Sequence, residues 1–312
     1  MSDIPAVTVA VVVKDRADLM AACLWGIEAQ CGPSFEIVII DNESRDGTWE
    51  LLVERSEASG GRLRVRREAG SVGRVRNVAL AEARAPVIAY VDSDCVPEPG
   101  WLAAGVQALG ADAGIGVVQG RTRPDPSAAS APWPATQDID RLSGAYEACN
   151  IFYRTDVLRR AGGFDEEIGF FGEDTSAGWS VLRLGYRAAF AGDAVVDHAV
   201  SHPGIAWHLR RALLYWKWNR LVRRFPEMRE QLLWHRLFLR PRSAWFFASV
   251  VALAAGTRRP VLALGAVPYL WWRRPRRLAA RPIVNAAGAV GFDAAVCAAL
   301  VVGTIRERTI VL

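Results

Sequence analysis

The sequence predicts an α/β fold: a doubly wound, mostly parallel sheet flanked by helices, followed by a helical, apolar and basic C-terminal region. Three observations lead there. Short apolar, β-branched runs alternate with segments of helical spacing through the first 110 residues. The second and fourth of these runs end in aspartate, at Asp41 and Asp92. Charge is divided along the chain: residues 201–312 hold 19 Lys and Arg against 4 Asp and Glu, whereas residues 1–200 hold 19 against 29. Two regions of opposite character therefore share 312 residues, enough for one large or two small domains.

Residues 7–13, VTVAVVV, form a near-continuous β-branched run, as expected of a strand buried on both faces. Lys14, Asp15 and Arg16 break it. Residues 17–30 show helical spacing (Leu19, Cys23, Leu24, Ile27), and Gly32 and Pro33 stop the helix. Residues 35–40 make a second strand, followed by the turn DNESRDGT, in which Asp46 or Thr48 is placed to cap a helix over 49–58. Residues 63–66 read as a third strand, 70–73 as a flexible loop, 74–84 as a helix and 87–91 as a fourth strand. Pro97, Pro99 and Gly100 stop regular structure before a helix over 101–110. Residues 124–136 read as a loop or linker, and a strand re-enters around 146–154. A short helix follows at 156–160, then a helix over 175–184 with Asp174 as its N-cap. Two short strands, 188–190 and 194–196, lead to Asp197 and His198.

The chemistry concentrates at VIAYVDSDCVPEPGW, residues 87–101. A buried strand there delivers Asp92 and Asp94 to a loop at its carboxyl end, where ligands of open α/β sheets sit. Residues two apart face one side, so both carboxylates can reach one polyanion or one metal ion. Taken alone, the stretch reads first as a solvated acidic turn closing a strand. The first strand is not followed by G-x-G-x-x-G, which disfavours a dinucleotide-dependent dehydrogenase. Asp41 and Asp92 suit a base N–H or ribose hydroxyls. Without a glycine-rich phosphate loop, a pyrophosphate needs a cation to balance it, a task that suits Asp94. The five cysteines are odd in number and lack metal-type spacing, so they read as reduced thiols of a cytosolic compartment, and the N-terminal residues do not resemble a signal peptide.

In order along residues 5–200, the segments VVVKDR, IVIIDNESRDGT, VRNVAL, AYVDSDCVPEPGWL and YEACNIFYRTDVLRRAGGFDEEIGFFGEDTSAGW resemble family 2 glycosyltransferases of the GT-A fold. The resemblance implies a GT-A catalytic domain over 1–204, with a nucleotide-binding half 1–120 and an acceptor half 121–204; the Trp- and Arg-rich, apolar remainder, 205–312, reads as a membrane-associating region. It implies transfer of a sugar from a UDP- or dTDP-linked donor to a hydroxyl of a glycan, lipid-linked or cell-envelope acceptor, by single displacement with inversion. Val13, Asp41, Arg76, Asp92 and Ser93 would bind the donor nucleotide. Asp94 and His198 would hold Mg2+ or Mn2+, and Asp174 would be the catalytic base. Asn150, Glu173 and Trp179 would orient the acceptor or donor. The sequence departs from the family pattern at Ser176 and Ser180, where charged residues are usual, and at Val13-Lys14, where Thr is frequent. Two other readings stand beside this one: a nucleotidyltransferase, which would want glycines in KDRADLM, and a non-catalytic membrane-bound relative that keeps the fold.

Residues 205–240 place Trp207, Trp216, Trp218 and Trp234 among arginines, a pattern of membrane-interface helices and of helices packed on a domain with an arginine-rich outer face. Tyr215, Trp216 and Trp218 are also placed to cover an acceptor sugar. Three apolar stretches follow, 243–256, 260–272 and 283–304. The first two fall short of the roughly 20 residues that span a bilayer, and the third carries Asn285 and Asp293. Apolar runs interleaved with arginine favour a membrane surface over nucleic acid, with Arg273, Arg274, Arg276 and Arg277 beside anionic lipid on the cytoplasmic face.

Overall fold

The computed structural model describes residues 4–129, 133–274 and 282–312. The chain divides into two compact units, Met1–Ala128 with Thr136–Val200, and Ala129–Ala135 with Ser201–Leu312. Arg276 and Arg277 lie outside the described residues.

The first unit runs β1 (Val7–Val13), α1 (Ala17–Glu28), β2 (Phe35–Asp41), α2 (Thr48–Ala58), β3 (Leu63–Arg67), α3 (Val72–Glu82), β4 (Val87–Val91), β5 (Cys95–Pro97), α4 (Trp101–Gly110), β6 (Ile115–Pro124), β7 (Asn150–Arg154), α5 (Thr155–Arg160), α6 (Glu173–Arg183) and β8 (Arg187–His198). Eight strands form one sheet in the order β3-β2-β1-β4-β7-β6-β8-β5. β1 to β4 are mutually parallel where they pair; β7 runs antiparallel to both β4 and β6. Val7, Val9, Val11 and Val13 of β1 and Ile37 and Ile39 of β2 are fully or almost fully buried, because helices cover both faces. The register Val13↔Asp41 sets the carboxyl ends of β1 and β2 flush. Strand order reverses between β1 and β4, and the crevice so created lies beyond the ends that carry Asp41 and Asp92.

Several local expectations change. Cys95–Pro97 is a strand despite its prolines: β5 pairs antiparallel with the end of β8 at the edge of the sheet, where a missing N–H is tolerated. The two short strands predicted near 190 are one strand, β8, whose pairing to β6 shifts register between Gly120 and Arg121. Neither Asp46 nor Thr48 is the N-cap of α2; Gly47 takes that position in the left-handed region (φ +94°). Asp46 instead accepts hydrogen bonds from Thr48 N (3.1 Å) and from Ala17 N (3.0 Å) at the start of α1. α3 begins at Val72, inside the predicted loop, because the Ser71 side chain accepts from Arg74 N and caps it.

The second unit is helical: α7 (Ile205–Ala212), α8 (Lys217–Arg224), α9 (Met228–Gln231), α10 (Pro241–Gly256), a 3-10 segment Pro260–Ala266, α11 (Val267–Trp272) and α12 (Pro282–Glu307). Asn219 of α8 ties the end of α12 and the segment beyond it, donating to Thr304 Oγ1 (3.0 Å) and Thr309 O (2.8 Å). Trp216 lies under Arg306 (4.3 Å) and Tyr215 packs edge-on against Phe292 (6.3 Å), so these two aromatics pack within the unit. α10 and the segment 260–272 fold back on each other through small residues, Gly256 against Ala263 and Gly265 against Ala252. Residues Ile283–Glu307 are long and apolar enough, by length and composition, to cross a membrane.

Close packing of α4 on the sheet yields a test. A Cβ at Gly105 would lie 2.1 Å from the Phe152 ring of β7, whereas one at Gly110 meets nothing within 4 Å. Gly105→Ala is expected to lower unfolding stability by about 1–3 kcal/mol, and Gly110→Ala to leave it unchanged or raise it by up to about 1 kcal/mol. Chemical denaturation of both variants checks this, and a neutral Gly105→Ala would contradict the described approach of α4.

Candidate active site

β4 ends at Val91, and the turn 92–94 carries Asp92, Ser93 and Asp94 over the edge of the sheet before β5 begins. The turn is held from below by main-chain bonds: Cys95 N donates to Asp92 O (3.0 Å) and Ala199 N to Asp94 O (2.8 Å). Cys95 and His198 are cross-strand partners in the β5–β8 ladder, so their side chains share one face. As a result His198 Nε2 lies 3.7 Å from Asp94 Oδ1. The other ring nitrogen, Nδ1, is 2.8 Å from Ala199 O, which can only accept. That contact places a ring proton on Nδ1, and Nε2 is the ring atom that faces Asp94.

Asp94, His198 and the Cys95 thiol offer ligand atoms that all lie within 4.8 Å of one another. Cys95 is a residue that the sequence reading passed over, because the prolines after it hid the short strand that turns it toward His198. Burial raises its thiol pKa well above the ordinary value, so it stays protonated. Burial and the neighbouring Asp92 charge also raise the Asp94 pKa, with His198 and Arg16 opposing. A buried carboxylate facing an imidazole nitrogen fits a divalent cation. Oxygen and nitrogen donors suit Mn2+, while Mg2+ would use the carboxylate and waters.

Arg76 of α3 organises the remaining acids. It is almost fully buried, donating through one guanidinium nitrogen to Glu173 Oε1 and through the other to Asp92 Oδ1 (3.2 Å). Burial opposes its charge, but Glu173, Asp92 and Asp174 outweigh burial and its pKa rises. Glu173 and Asp174 open α6, and the expectation that Asp174 caps this helix is corrected: Gly172 is the N-cap, in the left-handed region (φ +107°). Asp174 therefore lies inside the first turn, accepting from Thr175 N (2.7 Å) and Ala148 N (3.3 Å). Burial first, and then the charge of Glu173, push its pKa up to about 8. The second carboxylate oxygen of Glu173 is buried without a hydrogen-bond partner among the described residues. Glu147, whose charge adds to the upward push on Asp174, is a further acid that the sequence reading did not single out.

The remaining candidates separate into two groups. Val13, Asp41 and Ser93 lie with Asp92 at strand ends on the ligand edge. The buried Asp41 carboxylate already accepts from Ser44 N (3.2 Å) and Arg67 Nε (3.0 Å), and Val13 O accepts from Asn42 N (2.8 Å). Both thus shape the 42–48 turn. Asn150 and Trp179 are structural in this geometry. Asn150, fully buried, donates to Arg121 O and Ala194 O (2.8 Å each) and accepts from Trp101 Nε1 (2.8 Å), joining β6, β8 and α4. Trp179 is buried, with its indole N–H on Gly144 O (2.9 Å), and anchors the segment leading to β7. Ser176, one of the two departures, is buried beside Thr175 in α6.

The mixed sheet flanked by helices is of the GT-A type. Residues 8–164 match the sequence profile described as glycosyl transferase family 2. The chain belongs to that family, and is a glycosyltransferase by family and by relatives. It is 26% identical over 209 residues to glycosyltransferase AglE of Haloferax volcanii, covering 63% of this chain and 68% of that protein. Among solved structures it resembles the mannosyltransferase PcManGT from Pyrobaculum calidifontis in complex with GDP-Man and Mn2+ (TM-score 0.67, 24% identity, 97% of this chain and 88% of that one). It also resembles GalNAc-T7 with UDP, GalNAc and Mn2+ (TM-score 0.52, 16% identity, 64% and 44%).

The state of Asp174 is testable without substrate. A carboxyl whose folded pKa is raised contributes stability that is present below its unfolded value and is lost as pH climbs towards about 8. Asp174→Asn removes that loss. The melting temperature of the variant relative to wild type is expected to rise between pH 5 and pH 8 and then level off, with roughly 2–4 °C for each kcal/mol in a chain of this size. Fluorimetric melts across that range check it; a constant difference would contradict the raised pKa.

Proposed function

We propose that this protein transfers a sugar from a nucleotide-diphosphate donor to a hydroxyl of a lipid-linked or cell-envelope acceptor, with inversion. The observation that carries the reading is the pairing of Asp94 with Nε2 of His198 at the ligand edge, together with a second acid, Asp174, beside the Arg76 that reaches Asp92. The GDP-Man, UDP and Mn2+ of the solved relatives support a nucleotide-sugar donor and a divalent cation. Asp92, positioned by Arg76, binds the donor ribose. Asp41, Val13 and Ser93 line the nucleotide end, with the base in contact with the main chain there, and UDP- or dTDP-sugars are the expected donors. Asp94 and His198 would hold Mg2+ or Mn2+, which supplies countercharge to the departing diphosphate.

Asp174 removes the proton from the acceptor hydroxyl as that oxygen attacks the anomeric carbon opposite the leaving group. No covalent carboxylate partner is needed for one displacement. Glu173 holds Arg76 on one oxygen and presents the other toward the donor or acceptor. The second unit attaches the protein to the cytoplasmic face of a membrane, where a lipid-linked acceptor resides; its exposed side chains include Trp245, Val251, Leu264 and Trp271.

A base must be ionised to act, so turnover rises with pH until Asp174 has lost its proton, near pH 8 in the donor-free protein. A panel of UDP-, dTDP- and GDP-sugars with Mg2+ or Mn2+, read by donor hydrolysis and by protection from heat, tests the whole reading. Chelation is expected to abolish donor protection, and Asp94→Asn to weaken it at least about tenfold. Asp174→Asn is expected to keep donor protection and lose about 100-fold or more of turnover, the range of general base catalysis. Equal protection of wild type and Asp94→Asn would remove the metal assignment, and unchanged turnover in Asp174→Asn would remove the base.

A further inference from the structure

Asp293 is the one carboxylate in the sequence between Glu230 and Glu307, and it sits in the middle of the apolar α12. It is buried, and three side chains from the helical hairpin close on it. Tyr269 Oη donates to Oδ2 (2.9 Å), Arg273 Nε donates to the same oxygen (2.7 Å), and Arg242 Nε lies 3.6 Å from Oδ1. Two guanidinium groups thus share one carboxylate. Arg273 is well matched to it, whereas Arg242 at 3.6 Å is beyond a good hydrogen bond. Among the described residues Arg242 has no other ion-pair partner, and Arg240 is close enough for its charge to oppose that of Arg242. The cluster therefore carries excess positive charge at a place where Arg242 and Arg273 are each mostly shielded from water.

What surrounds the cluster is apolar and exposed. Trp245 lies one helical turn beyond Arg242, and Trp271 and Trp272 adjoin Arg273 and Arg274, whose guanidiniums stand over their rings at 4.9 Å for Trp272 and 4.2 Å for Trp271. Further along the same hairpin Val251, Val261, Leu264 and Leu270 are all more than half exposed. α10, with 16 residues, is about 24 Å long, short of the ~30 Å hydrocarbon core. Such a hairpin suits one leaflet, with tryptophans and arginines at head-group depth. A phosphopeptide or nucleic acid would meet the cations but leave this apolar surface uncovered.

We infer that Arg242 and Arg273, gathered around Asp293, form with Arg240, two residues before Arg242, a binding site for the phosphate of a lipid head group, whose chains lie along the exposed hairpin. The inference rests on the membrane reading above and narrows it: the membrane is recognised through phosphate, not only through apolar contact. Asp293 holds Arg273 in place and leaves Arg242 with charge to offer.

Flotation of the full-length protein with vesicles tests this, using phosphatidylcholine alone or with a fifth of it replaced by phosphatidic acid. Tighter binding to the phosphatidate vesicles is expected, by at least about fivefold per arginine engaged. Arg242→Gln should remove most of that preference. Arg240→Gln, at an exposed position that folding does not depend on, should remove part of it. Asp293→Asn, which deletes the opposing charge but keeps an amide oxygen to accept from Tyr269 and Arg273, should keep or raise the preference, an outcome that misfolding cannot produce. Competition by inorganic phosphate at constant ionic strength distinguishes the sources: displacement assigns free phosphate as a sufficient ligand, and its failure while Arg242→Gln still acts assigns the lipid. Equal wild-type binding to both vesicles, or a preference that survives Arg242→Gln and Arg240→Gln, overturns the site while leaving membrane attachment standing. Binding to neither vesicle overturns the membrane reading itself.

Discussion

One buried cation holds the catalytic unit's acids in place. Arg76 leaves α3 and meets Asp92 at the end of β4 and Glu173 at the start of α6, with only a few per cent of its surface in water. Three elements far apart in sequence are thereby fixed to one point. Removing one partner of such a buried pair typically costs roughly 3–5 kcal/mol, because the other charges are left without compensation. The pairing also sorts the acids by role. Asp92 and Glu173 are neutralised within the protein. Asp94 and Asp174 are not, and burial acts on them with less relief.

That division gives the two acids different surroundings. Asp94 faces an imidazole nitrogen and suits a cation; Asp174 faces backbone amides and other carboxylates and suits a proton. Carboxylates whose surroundings push their affinities apart are the usual means of separating such tasks. The helical unit solves a related problem differently. Its buried acid, Asp293, is met by two guanidinium groups, one of which lies over the ring of Trp272.

The parallel strands were legible because β-branched runs with nothing polar inside them fit few other structures. Asp92, Asp94 and Asp174 were legible because they follow such runs or open a helix in a recognisable order. β5 was not, since its prolines argue locally against a strand, and only the end of β8 supplies the pairing that makes it one. Cys95 was missed with it. Asn150 and Trp179 look alike in sequence to residues that touch ligands, yet their hydrogen bonds are all taken by the protein: polar side chains reveal their partners only when the chain is folded.

By itself the sequence determined the order of strands and helices through the first half of the chain, the strand ends that carry acid, and the split between an acidic and a basic region. These follow from side-chain periodicity and charge, which are local properties. The tertiary structure alone decided which acids Arg76 pairs, that Gly172 rather than Asp174 caps α6, that His198 turns Nε2 to Asp94, and that Asp293 gathers two arginines. Each of those depends on distances between residues remote in the chain, and on burial, which sets how strongly their charges are felt.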